Sequence, residues 1–302
     1  MIVKPSKYEE AKQIFDGTNI NITVEGRKYL GGFIGTNDGR KKYTTELVDR
    51  WKKQLLNLCD IARTEPHAAF NGFMTGFRNK LTYHKRVIPD MEEHVAVQDE
   101  IIDRVFIPTI NGGHVCTPEE RKLLSLPIKT WGMSIVSEFA AEQHRDSKLV
   151  CKQLSENIIK QERKYMVDKK LEKEVKKNVV SRKLARQKTQ LQMIQNDLSA
   201  EEKKANDIAQ MKGAGSWLAF VATIHDNTLM NKREFHDAVS LRYRWKPKYL
   251  PQVCECGKKF SIDHSMTCST GGFIHARHDE LKQVITNMLS AKTSQLNEFA
   301  SS

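Results

Sequence analysis

From Cys151 to Met211 the chain contains neither proline nor glycine. The interval is rich in Lys, Arg, Glu and Gln, so nothing in it breaks a helix and little in it can build a core. It predicts a long, exposed, basic helical segment over 151–212. Between Lys160 and Lys188, twelve Lys or Arg stand against four Asp or Glu, a net of +8 (12 − 4). That is two thirds of the +12 carried by the whole chain. Lys169, Lys170, Lys173, Lys176, Lys177, Arg182 and Lys183 are the candidate phosphate contacts on this segment. The alternative is that the run is only a solvated face. Leu184, Leu191 and Leu198 recur at steps of seven, two heptad steps of a coiled coil. Ser199 with Glu202 forms a capping-box pattern, so a helix is expected to stop near Leu198 and another to begin. Gly213 and Gly215 should end the second one.

The flanking segments have different periods. Over 1–36, Ile20–Val24 alternates at period two, and Tyr29–Gly35 is an apolar run bounded by glycines. With Glu25-Gly26-Arg27-Lys28 between them they read as a β-hairpin. From 37 to 150 the period is helical. Leu47, Trp51, Leu55, Leu58 and Ala62 make one stripe, and Phe70, Phe73, Met74 and Phe77 follow Pro66 in another. A third helix is expected from about Met91 to Phe106. Thr117-Pro118-Glu119-Glu120 opens a fourth. Residues 213–302 turn compact again, with a helix after Asn231-Lys-Arg-Glu234 and another from about Ala276 to Ala291, frayed after Ser294. The fold class expected is mainly α: a small N-terminal hairpin, a helical domain, a long basic helix and a small C-terminal metal module.

That module rests on Cys254-x-Cys256-Gly257-x6-His264-x3-Cys268. Three thiolates and an imidazole are the Cys3His set of a closed, structural, tetrahedral zinc site. His264 and Cys268 are one helical turn apart, which puts both on one face. Cys-x-Cys is tighter than the usual pair spacing, and His275 or His278 is the possible substitute for the fourth ligand. Clustered cysteines in a chain whose N-terminus has no apolar secretory region read as metal ligands rather than disulfides. Just before them, Arg242-Tyr243-Arg244-Trp245-Lys246 interleaves cations with aromatics, the mixture that phosphate contact and base stacking require. Tyr243 and Trp245 have an equally good use as packing beneath the metal module.

The excess of positive charge points to RNA or DNA as partner. The longest apolar stretch, Trp217–Ile224, is far short of the roughly twenty residues of a membrane span. Nuclear or cytoplasmic residence is expected. No nucleophile elbow or P-loop occurs: Gly31-Gly32-Phe33-Ile34-Gly35 lacks the Lys-Ser/Thr ending. No paired aspartate suited to two-metal nucleotidyl transfer stands out. Catalysis by this chain alone is not expected.

Several stretches also carry a family likeness. Glu25–Gly31 with Ile34-Gly35 resembles the hairpin and primer-grip strand that follow a polymerase palm. Thr64–Phe70, Thr82-Tyr83, Arg86–Pro89, Phe106–Pro108 and Leu124–Pro127 resemble a helical thumb. Trp217-Leu218, Phe235, Asp237-Ala238, Leu241–Tyr243, the Cys254–Cys268 motif, Gly271-Gly272 and Arg277–Asp279 resemble a C-terminal zinc region. Together they resemble the post-palm part of a metazoan non-LTR-type retroelement reverse transcriptase. The resemblance implies a thumb that grips a template–primer duplex and a zinc module that seats RNA or DNA. It places the palm with its aspartates before residue 1 and an endonuclease after the zinc region. Trp131–Ser134 and Lys282-Gln283 depart from the pattern. A truncated element copy is one expectation, a partner to a separate palm another, and a helical scaffold that self-associates through the long helix a third.

Overall fold

Leu30 and Gly31 both have positive φ, 46° and 78°. Two such residues in succession make the tight turn that suits the twist of paired strands. The turn joins β1 (Gly26–Tyr29) to β2 (Gly32–Gly35), antiparallel with Tyr29 opposite Gly32. The hairpin is therefore present, but shifted. Gly26–Lys28, expected as its turn, is strand, and Ile20–Val24 forms no strand, only a bridge from Thr23 to Ile2. Two distant hydroxyls hold the turn where it is. Tyr43 donates to the Gly31 carbonyl at 3.0 Å, and Tyr83 donates to that of Leu30. A Cβ on Gly31 would stand 2.7 Å from the Tyr83 ring.

The computed structural model describes residues 1–88, 91–135, 140–161, 166–223, 225, 228–270 and 273–300. Pro89, Gly271 and Gly272 of the resemblance, Ile224, and Arg163 and Lys164 of the basic run lie outside them. The chain divides into two units, Met1–Lys246 and Pro247–Ser302.

In the first unit α1 (Tyr8–Ile14) precedes the hairpin, and α2 (Asn37–Ala62) follows it, capped by the Thr36 hydroxyl on Gly39 N. Leu47, Trp51, Leu55, Cys59 and Ala62 form the buried stripe of α2; Leu58 is half-buried beside it. Next come α3 (Pro66–Gly72) and α4 (Arg78–Val87), joined by a π turn over Phe73–Phe77. Then α5 (Glu92–Ile101) runs through a second π turn, Ile102–Phe106, into α6 (Ile107–Ile110). The two widened turns meet where Phe73 stacks on Phe106, ring centroids 4.8 Å apart. Each of these fully buried phenylalanines contributes about 1.5–3 kcal/mol.

The chain continues through α7 (Pro118–Ser125), with the Thr117–Glu120 capping box in place. After it Trp131 sits in the left-handed region, φ 73°, with its ring buried and its Nε1 donating to Arg242 O at 3.0 Å. The departure at Trp131–Ser134 is thus a core-forming turn.

The basic segment is not one helix. It comprises the end of α8 (Ala140–Ile159), then α9 (Lys169–Asp197), then α10 (Ala200–Gln210) behind the Ser199–Glu202 capping box. Asp168 caps α9, accepting from Lys170 N and Leu171 N. Asp146 of α8 takes Arg186 at 2.6 Å and Arg182 at 3.6 Å, which fastens α9 to α8. Gln190 donates to Lys122 O and Ser125 Oγ at the end of α7. Leu191, Ile194 and Leu198 pack on the core, while Leu184 is exposed. The heptad spacing therefore serves packing within the chain at two of its three positions.

Residues 213–246 belong to the first unit, although their motifs suggested the C-terminal module. They contain α11 (Ser216–Ala219) and α12 (Lys232–Arg242), the latter with the Asn231–Glu234 capping box. Phe235 of α12 is fully buried and stacks on His67 of α3 at 4.8 Å. That burial draws the segment inward. The second unit holds α13 (Ile262–Thr267) and α14 (Phe273–Ala300), which starts earlier and runs further than the sequence pattern indicated. Among its described residues only Pro247 and Cys268 are buried.

Two predictions follow from this packing. A Cβ at Gly132 would lie 1.9 Å from the Leu126 carbonyl oxygen. Gly132→Ala should cost about 1–3 kcal/mol, read as a lower urea midpoint at unchanged slope. The second concerns two imidazoles. His67 is held below its ordinary pKa by burial, and its Nδ1 accepts from Met230 N at 3.1 Å. His84 is likewise lowered, by burial first and by the nearby Lys28, Arg50 and Lys80 cations. The folded state therefore binds fewer protons than the unfolded state just below the ordinary imidazole value. Stability is complete above about pH 6.5 and is lost as the pH falls through that value towards the folded pKa. The urea midpoint should drop between about pH 7.5 and 5.5, and His67→Gln should flatten part of that drop.

Candidate metal centre

Cys254 and Cys256 lie on a tight turn. Cys254 N donates to Lys258 O and Gly257 N donates to Cys254 O, each at 2.8 Å. Gly257 closes the turn at φ 80°, a conformation that favours glycine. A Val253–Lys259 bridge and a Phe260 N to Gln252 O bond (3.0 Å) hold its base. The other half is α13. The Ser261 hydroxyl caps it by accepting from His264 N at 3.0 Å, and Cys268 N donates to His264 O at 2.8 Å. One turn of helix thus presents His264 and Cys268 together, as their spacing implied.

These two local devices bring four ligand atoms within 4.8 Å of one another. Cys254 Sγ is 3.7 Å from Cys268 Sγ, and Cys256 Sγ is 3.1 Å from His264 Nε2. The cysteines form no disulfide: the 3.7 Å separation is far longer than an S–S bond of about 2.05 Å. Metal–sulfur bonds of about 2.3 Å at tetrahedral angles give a sulfur–sulfur edge of about 3.8 Å. The corresponding sulfur–nitrogen edge is about 3.5 Å, so a bound ion would open the Cys256–His264 contact by a few tenths of an ångström. Cys254, Cys256, His264 and Cys268 are a group that can hold a metal ion.

The electrostatics agree with that use. A hydrogen bond from the Cys256 amide lowers the Cys254 pKa, but desolvation and the neighbouring Cys268 and Cys256 thiols outweigh it, and the net shift is upward. Crowded thiols resist ionisation together, and a divalent cation among them reverses the balance. His275 and His278, the possible substitutes, both lie exposed on α14, and His278 Nδ1 is 3.7 Å from its neighbour Asp279. Neither belongs to the four-atom group.

The other proposed contacts have mixed fates. Tyr243 is buried at 5% exposure and stacks against Trp131 at 6.0 Å, so it offers no open face to a base. Trp245 is half-buried, stacked on His114 at 4.0 Å, and donates from Nε1 to Glu120 Oε1 at 2.5 Å. Both aromatics pack against partners within the first unit. Arg242 Nη2 donates to Ile128 O at 2.9 Å, and Arg244 pairs with Glu201 at 2.6 Å. Of this motif Lys246 and Arg244 are exposed. On α9, by contrast, Lys169, Lys170, Lys173, Lys176, Lys177, Arg182 and Lys183 are all exposed. Among them Lys176 pairs with Glu172 at 2.5 Å and Arg182 with Asp146. Among the described residues no helix is long and apolar enough to cross a membrane.

Cys116 stands far from the C-terminal cysteines in the sequence. It lies instead with His114 and Glu120, another group of metal-ligand type. The pattern His114-x-Cys116-x3-Glu120 was the available signal. No protein-family model, no curated protein and no solved structure matches the chain.

Thiol alkylation checks the four-residue centre. With a divalent metal supplied, Cys254, Cys256 and Cys268 should resist iodoacetamide, and the exposed Cys151 should react. After chelation the Cys254 and Cys256 thiols should react as well.

Proposed function

We propose that the chain is a nucleic-acid-binding protein, without catalysis of its own, whose C-terminal unit is held by structural zinc. The observation that carries the nucleic-acid reading is the exposed row of seven cations on α9. Exposed cations gathered on one helix suit contact with a polyphosphate backbone. The likeness to the post-palm region of non-LTR-type reverse transcriptases leads to the same class of partner, RNA or DNA. Zinc is the ion that suits three thiolates and an imidazole in a closed tetrahedral set. Four protein ligands leave no open coordination position, so its role is to fold the unit rather than to activate water. Nuclear or cytoplasmic residence accords with this reading.

Fluorescence-anisotropy titration of the full chain against a structured RNA and a DNA duplex across a salt series tests it. Binding should weaken linearly on a log–log plot, with a slope near −0.9 per duplex phosphate contacted. Replacing Lys169, Lys170, Lys173, Lys176 and Lys177 together by Gln should make that slope shallower by several contacts and leave the thermal midpoint in place. Absence of binding at low salt would remove the reading.

One observation favours a second reading, a helical scaffold. Leu281, Val284, Ile285 and Leu289 of α14 are exposed at helical spacing, each about half or more accessible. A concentration-dependent dimer by light scattering, abolished by Val284→Glu and indifferent to RNA, would favour it.

A further inference from the structure

The loop between α6 and α7 gathers three metal-ligating side chains that the C-terminal centre does not use. His114 Nε2 is 3.0 Å from Glu120 Oε2. Cys116 Sγ, a His114 ring nitrogen and a Glu120 carboxylate oxygen all lie within 4.8 Å of one another. The backbone sets this up. Gly112 and Gly113, at φ 70° and 89°, reverse the chain after α6, and Gly113 N donates to Pro108 O at 2.6 Å. Thr117 then caps α7, and Glu120 Oε2 accepts from Thr117 N at 2.8 Å. All three side chains are half-buried, which leaves them reachable from solvent.

Two neighbours act on the trio as supporting groups act on metal ligands. Trp245 stacks on the His114 ring and donates to Glu120 Oε1, so one side chain orients two of the three. Asn111, 2% exposed, donates from Nδ2 to Cys116 Sγ at 3.8 Å. Its Oδ1 is buried with no hydrogen-bond partner. An orphaned buried acceptor is rare in a folded protein and calls for a donor. Here it belongs to the amide that already touches the thiol.

We propose that His114, Cys116 and Glu120 form a second site for a zinc-class divalent cation, with water completing the coordination. Sulfur, imidazole nitrogen and carboxylate oxygen together suit Zn2+ or Co2+ and not Mg2+ or Ca2+, which take oxygen ligands. On binding, the Cys116 S–H bond breaks, a sulfur–metal bond forms, and the proton passes to solvent. His114 gives the Nε2 lone pair and carries its proton on Nδ1. Asn111 Nδ2 keeps the sulfur as its acceptor, and Oδ1 becomes an acceptor for the metal-bound water. The site lies within residues 1–246 and does not depend on the zinc reading of the C-terminal unit.

The test is metal stoichiometry of the reduced full chain, by Co2+ titration followed optically and by Zn2+ content after gel filtration. Wild type should bind two equivalents. Cys116→Ser should bind one and lose part of the thiolate–cobalt charge-transfer band. A chain carrying Cys254→Ser and Cys268→Ser should retain one equivalent, held by the trio alone. Glu120→Gln keeps a side chain able to complete the α7 capping box, so it should fold and still weaken this site by about tenfold or more. Two results would overturn the proposal: a stoichiometry unchanged by Cys116→Ser in a folded variant, or no metal retained by the Cys254→Ser, Cys268→Ser chain. A wild-type chain that binds one equivalent and loses it on Cys116→Ser would support this site and count against the C-terminal one.

Discussion

The stacked pair Phe73–Phe106, at 4.8 Å, joins the two π turns on which the α3–α4 and α5–α6 runs are built. Around it Phe70, Phe235, Ile102, Ile107 and Leu55 are fully buried. The buried cluster that includes these side chains runs from Leu47 to Tyr243, all within the first unit. Drawing Phe235 inward brings residues 213–246 into the first unit and leaves the second with only Pro247 and Cys268 buried among its described residues. With so little buried beyond Lys246, a metal held by Cys254, Cys256, His264 and Cys268, a group that can hold one, would add a cross-link that burial does not supply. A metal bound only by the folded form contributes its binding free energy to folding, on the order of 10 kcal/mol for zinc in small modules.

The same distribution explains the basic helix. With Val175 its single buried residue, α9 gains little from burial, and polar ties carry it. Asp146 holds Arg182 and Arg186, and Gln190 reaches the end of α7. These contacts take up the C-terminal half of the helix, where Leu191 and Ile194 also meet the core. The lysines from Lys169 to Lys177 extend along the other half. Charges that tie the helix to its neighbours and charges that stay exposed thus fall on different parts of one helix.

Local chemistry was legible in the sequence. The three capping boxes at Thr117, Ser199 and Asn231 each rest on two residues three apart, and all three formed. The Cys254–Cys268 group was legible for the same reason, since a turn and one helical turn suffice to assemble it. What the sequence withheld depends on partners far along the chain. The hairpin turn falls on Leu30-Gly31, where the hydroxyls of Tyr43 and Tyr83 fix it. Trp245, set in a run that suggested base stacking, meets Glu120 and His114, more than a hundred residues earlier. No periodicity announces such a meeting. The break between α8 and α9 carries no proline or glycine, so propensity alone could not locate it.

Hydrogen–deuterium exchange of the full chain, metal-loaded against metal-free, tests the account most directly. Removing the metal should abolish protection of the amides of 253–268, including Cys254 N, Gly257 N and Cys268 N, which are hydrogen-bonded around the ligands. The amides of α2 and α3 should keep theirs. Unchanged protection over 253–268 without metal would contradict the claim that coordination, rather than burial, holds the C-terminal unit together.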